Sequence, residues 1–339
     1  MKLIALEEGF WYEKLATKGS PITHVPVKAG VLAVWQRKLV DFTEFRLPEM
    51  DRLGVEIQVL SLTSPGIQMQ PDSEIAVTDA RKANDYLAAV ISEHPQRFAG
   101  LAAVPLQDPP RAAAELRRAV ELGLCGALVN DHTLGHYLDE PQYAPFWEAL
   151  QDLDVPLYIH PNAVPSDDWN VLRGYPELDT ATWSWAARTG GHAMRLIFAG
   201  VFDRFPNARI ILGHMGEFLP FQLSRFDARY ADLDLKRPLA KLPSEYFQTN
   251  IAITTTGVFS HAALMAAIQT IGIDNVMFSI DYPFESTEKA VQLMHSAPLA
   301  PADKERVAHT NAERILRLDR CRSWRRRYEE DRGYEEDRG

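Results

Sequence analysis

Eight short apolar runs recur along the chain, most of them separated by helix-like stretches. This alternation constrains the fold more than any other feature. The runs are KLIALEE (2–8), IQVLSLTS (57–64), RFAGLAAVPL (97–106), LCGALVN (124–130), VPLYIHP (155–161), ARIILGHMG (208–216), YFQTNIAITT (246–255) and NVMFSIDYP (275–283). Several are nearly continuous in apolar residues, as strands covered on both faces should be. Between the third and fourth runs, Asp108 is placed to cap DPPRAAAELRRAVELG, with Pro109 and Pro110 in its first turn and Gly123 at its end. Further helices are expected over about 74–94, 140–152, 189–205, 217–232, 260–271 and 301–316. Eightfold alternation points to an α/β fold, a (β/α)8 TIM barrel spanning 1–318 as a single domain. A doubly wound open sheet is the competing reading, but no G-x-G-x-x-G follows the first run.

Two connections are too long for simple turns. Residues 10–48, after strand one, carry Phe10, Trp11, Tyr12, His24 and Trp35, and residues 162–187, after strand five, carry Trp169, Trp183 and Trp185. Loops of this length serve as lids or binding loops, or pack subunits together. The end of the chain, 319–339, repeats YEEDRG head to tail at 328–333 and 334–339, and its charge-rich composition predicts a disordered tail.

Charge and cysteine usage exclude several function classes. A formal charge of −10 opposes a nucleic-acid footprint. No run approaches the roughly 20 apolar residues of a membrane span. The opening lacks the basic and long apolar regions of a signal peptide. Cys125 and Cys321 are too few for a disulfide framework. A cytoplasmic protein with no nucleic-acid or membrane partner is the expectation.

In a (β/α)8 barrel the reactive groups gather at the C-terminal ends of the strands. Here those ends carry Glu7 and Glu8, Asn130, His160, His214 and Asp281. A lone histidine among the ten present is most often structural. The joint placement at one rim carries the weight. Strand alternation puts Glu7 on the face of Leu3, Ala5 and Gly9 and turns Glu8 the other way, so that one acid enters the barrel mouth and the other meets the surrounding helices. Glu7, His160 and Asp281 would form a mixed oxygen/nitrogen set for one divalent cation: Zn2+, Mn2+ or Mg2+, with the single imidazole weighing against zinc. In GHMGEFLP, Glu217 follows His214 by three residues and can reach the imidazole, fixing its tautomer; it is equally a first-turn acid favoured by the helix dipole.

These residues resemble the ortho-hydroxybenzoate decarboxylase branch of the amidohydrolase superfamily. The matching words are ALEE (5–8), LSLTSPGIQ (60–68), RKANDYLA (81–88), GALVND (126–131), LDVPLYIHP (153–161), GVFDRFP (200–206), ILGHMGE (211–217), ITTTG (253–257) and FSIDYPFE (278–285), in order from about residue 3 to Leu318. The resemblance implies a metal on Glu7, His160 and Asp281, and a catalytic pair in His214 and Glu217. It also implies contact of Asn130 with a ring hydroxyl, an Arg225 that reaches a neighbouring subunit's site, and Phe284 packed near the ring. A homotetramer or homodimer is implied with it. One departure stands out. Superfamily members often carry a second ligand two residues after the first, where this chain has Gly9. That loss favours Mg2+ or Mn2+ over Zn2+ and suggests room left for substrate or water.

The implied reaction is reversible loss of CO2 from a small aromatic carboxylic acid, with CO2 or bicarbonate as the second reactant. Protonation of the ring carbon bearing the carboxylate, assigned to Asp281, avoids a free aryl carbanion, while His214 and Glu217 steady the phenolate or relay protons. Two alternatives stay open at this point: a metal-dependent hydrolase of a lactone or amide on the same barrel, and a non-catalytic barrel whose metal site decayed at Gly9.

Overall fold

The computed structural model describes residues 1–17, 27–162, 169–325 and 327. All eight runs form parallel strands. β1 (Ile4–Phe10), β2 (Ile57–Leu62) and β3 (Phe98–Gly100) make one ladder. β4 (Ala102–Ala103), β5 (Ala127–Asn130), β6 (Leu157–His160), β7 (Ile210–Leu212), β8 (Ile251–Thr254) and β9 (Val276–Met277) make a second, each strand beside its predecessor. The third run is thus divided. Leu101 N–H reaches back to Leu60 O at 2.9 Å, and Ala102 N–H reaches forward to Gly126 O at 2.8 Å. At the opposite seam a single parallel bridge joins Leu6 to Ser279, whose hydroxyl also donates to the Leu6 carbonyl. The strands follow one another around a (β/α)8 barrel, with regular ladders everywhere except these two seams.

Side-chain alternation divides the core. Ile4, Leu6, Val59, Leu128, Tyr158, Ile211 and Met277 form a buried cluster in the lumen. Their neighbours Ala5, Leu60, Val129, Ile159, Leu212 and Ile253 join the larger cluster beneath the helices. The lumen is closed from below by Ala312, Ile315, Leu316 and Cys321. That floor corrects the expectation of a loose tail from residue 319. Residues 318–325 are helical and Cys321 is buried, because the apolar face of this segment completes the barrel floor. The YEEDRG repeats at 328–339 lie outside the described residues, as does His24.

The helices follow their local signals. Asp108 accepts the Arg111 N–H at 3.1 Å and opens Pro109–Glu121; Gly123, at φ 95°, follows its end. The described part of the long connection after β1 contains the helix Ala29–Leu39 and runs into Arg46–Leu53. Its aromatics divide accordingly. Phe10 is buried and Tyr12 stacks on Tyr86 at 4.1 Å, so these are packing groups, whereas Trp35 faces the cavity described below. Among the described residues no helix is long and apolar enough to cross a membrane.

The break between β3 and β4 is sealed by a side chain. Asn84, on the helix Ser73–Glu93, donates to Ala103 O at 2.9 Å and to Glu115 Oε1 at 2.8 Å, and accepts the Ala103 N–H at 2.8 Å. All of these groups are buried, and removing the amide strands the Ala103 N–H and carbonyl, whereas Glu115 Oε1 keeps the Arg118 guanidinium at 2.8 Å. Asn84→Ala is expected to lose about 3 kcal/mol of stability, read as a lower urea midpoint at unchanged slope. A wild-type midpoint would show that the break needs no such seal.

Candidate metal centre and active site

Glu7 does not follow the parity of its strand. The β1–β2 register pairs Ile4 with Ile57 and Ala5 with Gln58, then slips, pairing Glu8 with Leu60. The slip is a β-bulge, and Glu7 occupies it at φ 65°. Strict alternation would place Glu7 with Leu3 and Ala5 against the helices. The extra residue instead turns Glu7 into the lumen and sends Glu8 outward.

Once inside, the Glu7 carboxylate is asymmetric. Oε2 accepts the Tyr158 hydroxyl and, at 2.6 Å, the Thr256 hydroxyl. Thr254 stands behind both, 2.9 Å from Tyr158 and 2.7 Å from Thr256. Burial and the adjacent Glu7 push the Tyr158 phenol well above its usual range, which keeps it a donor. Gly213 permits this approach, because a Cβ there would come within 2.6 Å of Oε2. Oε1, by contrast, is buried with no hydrogen-bond partner. It lies 3.4 Å from His160 Nε2 and 3.7 Å from His214 Nε2.

His160 meets it in the right form. Its Nδ1 lies 2.6 Å from the Pro161 carbonyl, which can only accept, so the proton belongs on Nδ1 and Nε2 offers a lone pair. Burial, opposed by Glu7, lowers its pKa and favours the neutral ring. Asp281 completes the group: one ligand atom each from Glu7, His160 and Asp281 lies within 4.8 Å of the others. An unpartnered carboxylate oxygen, an imidazole lone pair and a second carboxylate at this spacing fit a divalent cation with open positions.

His214 Nδ1 stands 2.8 Å from Glu217 Oε1, and its Nε2 is 3.9 Å from Asp281 Oδ2. Burial pulls its pKa down, but Glu217 and then Glu7 outweigh that and raise it well above the usual value. The imidazole thus stands between Glu217 and Asp281, with one ring nitrogen facing each carboxylate. Glu7, His214, Glu217 and Asp281 all have positive φ, at 65°, 46°, 55° and 80°. Each such non-glycine residue costs on the order of 1–3 kcal/mol, a strain that concentrates where function dictates direction.

Over these groups opens a cavity of about 210 Å3 lined by Trp35, Trp185, Phe284, Thr63, Ser64, Thr180 and Glu285, with His160 and Asp281 at its base. Trp35 meets Phe284 edge-on at 5.3 Å. Two sequence-derived candidates lie elsewhere. Asn130 is buried with its side chain against Gly66 and is not among the residues lining the cavity; Asn162 links it to the lining residue Ser64, bonding the Asn130 carbonyl at 3.2 Å and Ser64 at 2.9 Å. Arg225 is exposed on the helix Leu223–Ala231 and does not line the cavity. Sequence reasoning missed Tyr158, Thr256 and Glu285, while Trp185, singled out on the long connection after strand five, does line the cavity. Tyr158 was accessible to parity, since it precedes His160 by two residues on β6 and shares its face.

Gly9 leaves no opening. A Cβ there would meet Leu39 Cδ2 and the Tyr282 carbonyl, each at 3.3 Å, so the space expected for substrate or water is already filled.

Known proteins carry the same arrangement of fold and sequence. The family model described as amidohydrolase matches residues 15–318. A γ-resorcylate decarboxylase of Rhizobium sp. (strain MTP-10005) is 43% identical over 294 residues, covering 84% of this chain and 90% of that protein. A crystal structure of 2,6-dihydroxybenzoate decarboxylase in complex with 2,6-dihydroxybenzoate superposes with a TM-score of 0.87 at 40% identity, covering 93% of this chain and 99% of the other. A dihydroxybenzoic acid decarboxylase from Polaromonas sp. JS666, with bound manganese and the inhibitor 2-nitroresorcinol, superposes with a TM-score of 0.86 at 38% identity, covering 94% and 97%. With matches of this extent to a barrel that gathers its polar groups at one rim, the chain belongs to the amidohydrolase family.

Proposed function

We propose that the chain is a metal-dependent, non-oxidative decarboxylase of ortho-hydroxybenzoic acids. The observation that carries this reading is the convergence of Glu7, His160 and Asp281 beneath an aromatic-walled cavity, in a chain 43% identical to a γ-resorcylate decarboxylase. The bound manganese of the Polaromonas relative supports a divalent ion on these three residues. Their oxygen-rich character favours Mn2+ or Mg2+ over Zn2+. When bound, that ion would supply Lewis-acid charge and a template for an ortho-hydroxy carboxylate.

The remaining work falls to the chain itself. Trp35, Trp185 and Phe284 grip the ring, and Thr63, Ser64 and Glu285 face its substituents. Asp281 stands at the cavity base and delivers a proton to the ring carbon bearing the carboxylate. The ortho phenolate oxygen becomes a carbonyl as that carbon–hydrogen bond forms. Breaking the carbon–carboxylate bond then releases CO2 and returns the electron pair to the ring, restoring aromaticity and the phenolate. His214, aligned by Glu217 with its Nε2 3.9 Å from Asp281 Oδ2, reprotonates Asp281 once the pair closes to hydrogen-bond distance with substrate bound. The reverse sequence carboxylates a phenol at high bicarbonate. Arg225 serves a neighbouring subunit's cavity in a homodimer or homotetramer; its exposure, outside the lining of its own cavity, supports that role.

With added Mn2+, CO2 release is expected from 2,6-dihydroxybenzoate or a related ortho-hydroxybenzoate and not from 4-hydroxybenzoate. Activity on lactones but on no hydroxybenzoate would overturn the reading. Asp281→Asn is expected to reduce kcat by roughly 10²–10⁴-fold while substrate still binds; near-normal turnover would remove Asp281 from the proton-transfer role. For the shared site, inactive Asp281→Asn and Arg225→Ala chains mixed under subunit exchange should regain activity. No recovery from chains known to have mixed would place Arg225 outside the reaction.

A further inference from the structure

The second acid of the opening pair, Glu8, has no place in the chemistry above, yet it is fully buried. Its carboxylate accepts backbone N–H groups from three consecutive residues around Asp281: Ile280 at 3.1 Å and Asp281 at 3.4 Å on Oε1, and Tyr282 at 3.3 Å on Oε2. They fall at the seam where β1 and β9 share only the Leu6–Ser279 bridge, and where the Gly9 N–H reaches Tyr282 O at 2.7 Å. Behind them, the buried Arg46 guanidinium donates to Gly9 O at 2.5 Å and to Gln58 Oε1 at 2.9 Å, and lies 4.2 Å from the Tyr282 ring centroid.

We propose that Glu8 is a positioning residue: its carboxylate, clasping the amides of residues 280–282 across the barrel seam, fixes Asp281 relative to Glu7. The chain geometry makes the coupling direct. Glu7 and Glu8 are adjacent, so the bulge that turns Glu7 inward necessarily sends Glu8 outward to the segment carrying the other carboxylate of the metal set. One backbone kink thereby places one ligand and grips the loop of the second. Asp281 is held at φ 80°, a conformation that few side chains adopt unaided, and the three amide bonds flank that residue on both sides. The tightness of the seam also accounts for Gly9, where a side chain would press on the Tyr282 carbonyl.

The inference rests on the metal-site reading and is separable from it. The test compares wild type with Glu8→Gln, which retains one acceptor oxygen and turns an N–H2 toward the amides. It measures Mn2+ affinity and the Mn2+ electron paramagnetic resonance spectrum together with kcat and KM. Glu8→Gln is expected to bind Mn2+ about 10–100-fold more weakly, with an altered spectrum and a fall in kcat larger than any change in KM. A residue that only stabilised the fold would lower the melting temperature and leave Mn2+ affinity and spectrum unchanged in the folded protein; that result would overturn the proposal. Failure of wild type to bind Mn2+ would instead overturn the metal site itself. Should Glu8→Gln not fold, hydrogen exchange in wild type decides: the amides of 280–282 should be strongly protected, and rapid exchange there would equally sink the assignment.

Discussion

Glu7 Oε2 is saturated by the hydroxyls of Tyr158 and Thr256, while Oε1 is buried without a hydrogen-bond partner beside two imidazoles. An unpaired carboxylate oxygen is expensive to bury unless something charged completes it, so this asymmetry is the constraint on which the rest of the mouth depends. It requires Gly213, whose missing side chain leaves the space Oε2 occupies, and hydroxyl donors on that same oxygen from Tyr158 on β6 and Thr256 just beyond β8. It also requires the bulge in β1, without which the side chain would point at the helices. The barrel is thus tuned around one oriented carboxylate, and His160 and Asp281 converge on its open side.

The same bulge explains where sequence reasoning stopped. The strand ends were readable because each apolar run closes on a polar residue, and Glu7, His160, His214 and Asp281 do meet at one rim. Their directions were not readable. A period of two assigns Glu7 to the helix-facing side, and only the register slip and a positive φ reverse it. The His214–Glu217 pair was visible as a spacing of three, but the backbone joining them is not a regular helix, since Met215 and Gly216 both adopt left-handed conformations. Local spacing found the partners and tertiary context bent the chain to let them meet.

Misreadings of scale have similar causes. The third run looked like one strand and became two, because its residues pair first with β2 and then with β5, and Asn84 covers the gap. The charge-rich composition of 319–339 predicted a disordered tail, yet Cys321 and Trp324 occur at intervals that let one helical face meet the barrel floor. Gly9 looked like a vacated ligand position. In the structure it is a point of close packing at the seam, where Leu39 and the Tyr282 carbonyl occupy the volume a side chain would need. Composition and periodicity report what a segment can bury, whereas the seam's geometry depends on pairs such as Glu8 and Tyr282 that lie hundreds of residues apart.

The most direct measurement is an anomalous-difference map from crystals of the full chain grown with Mn2+. A single strong peak between Glu7 Oε1, His160 Nε2 and the Asp281 carboxylate, with the aromatic cavity open above it, is the predicted result. A peak at other residues, or none at a Mn2+ concentration that supports catalysis, would contradict the account at its centre.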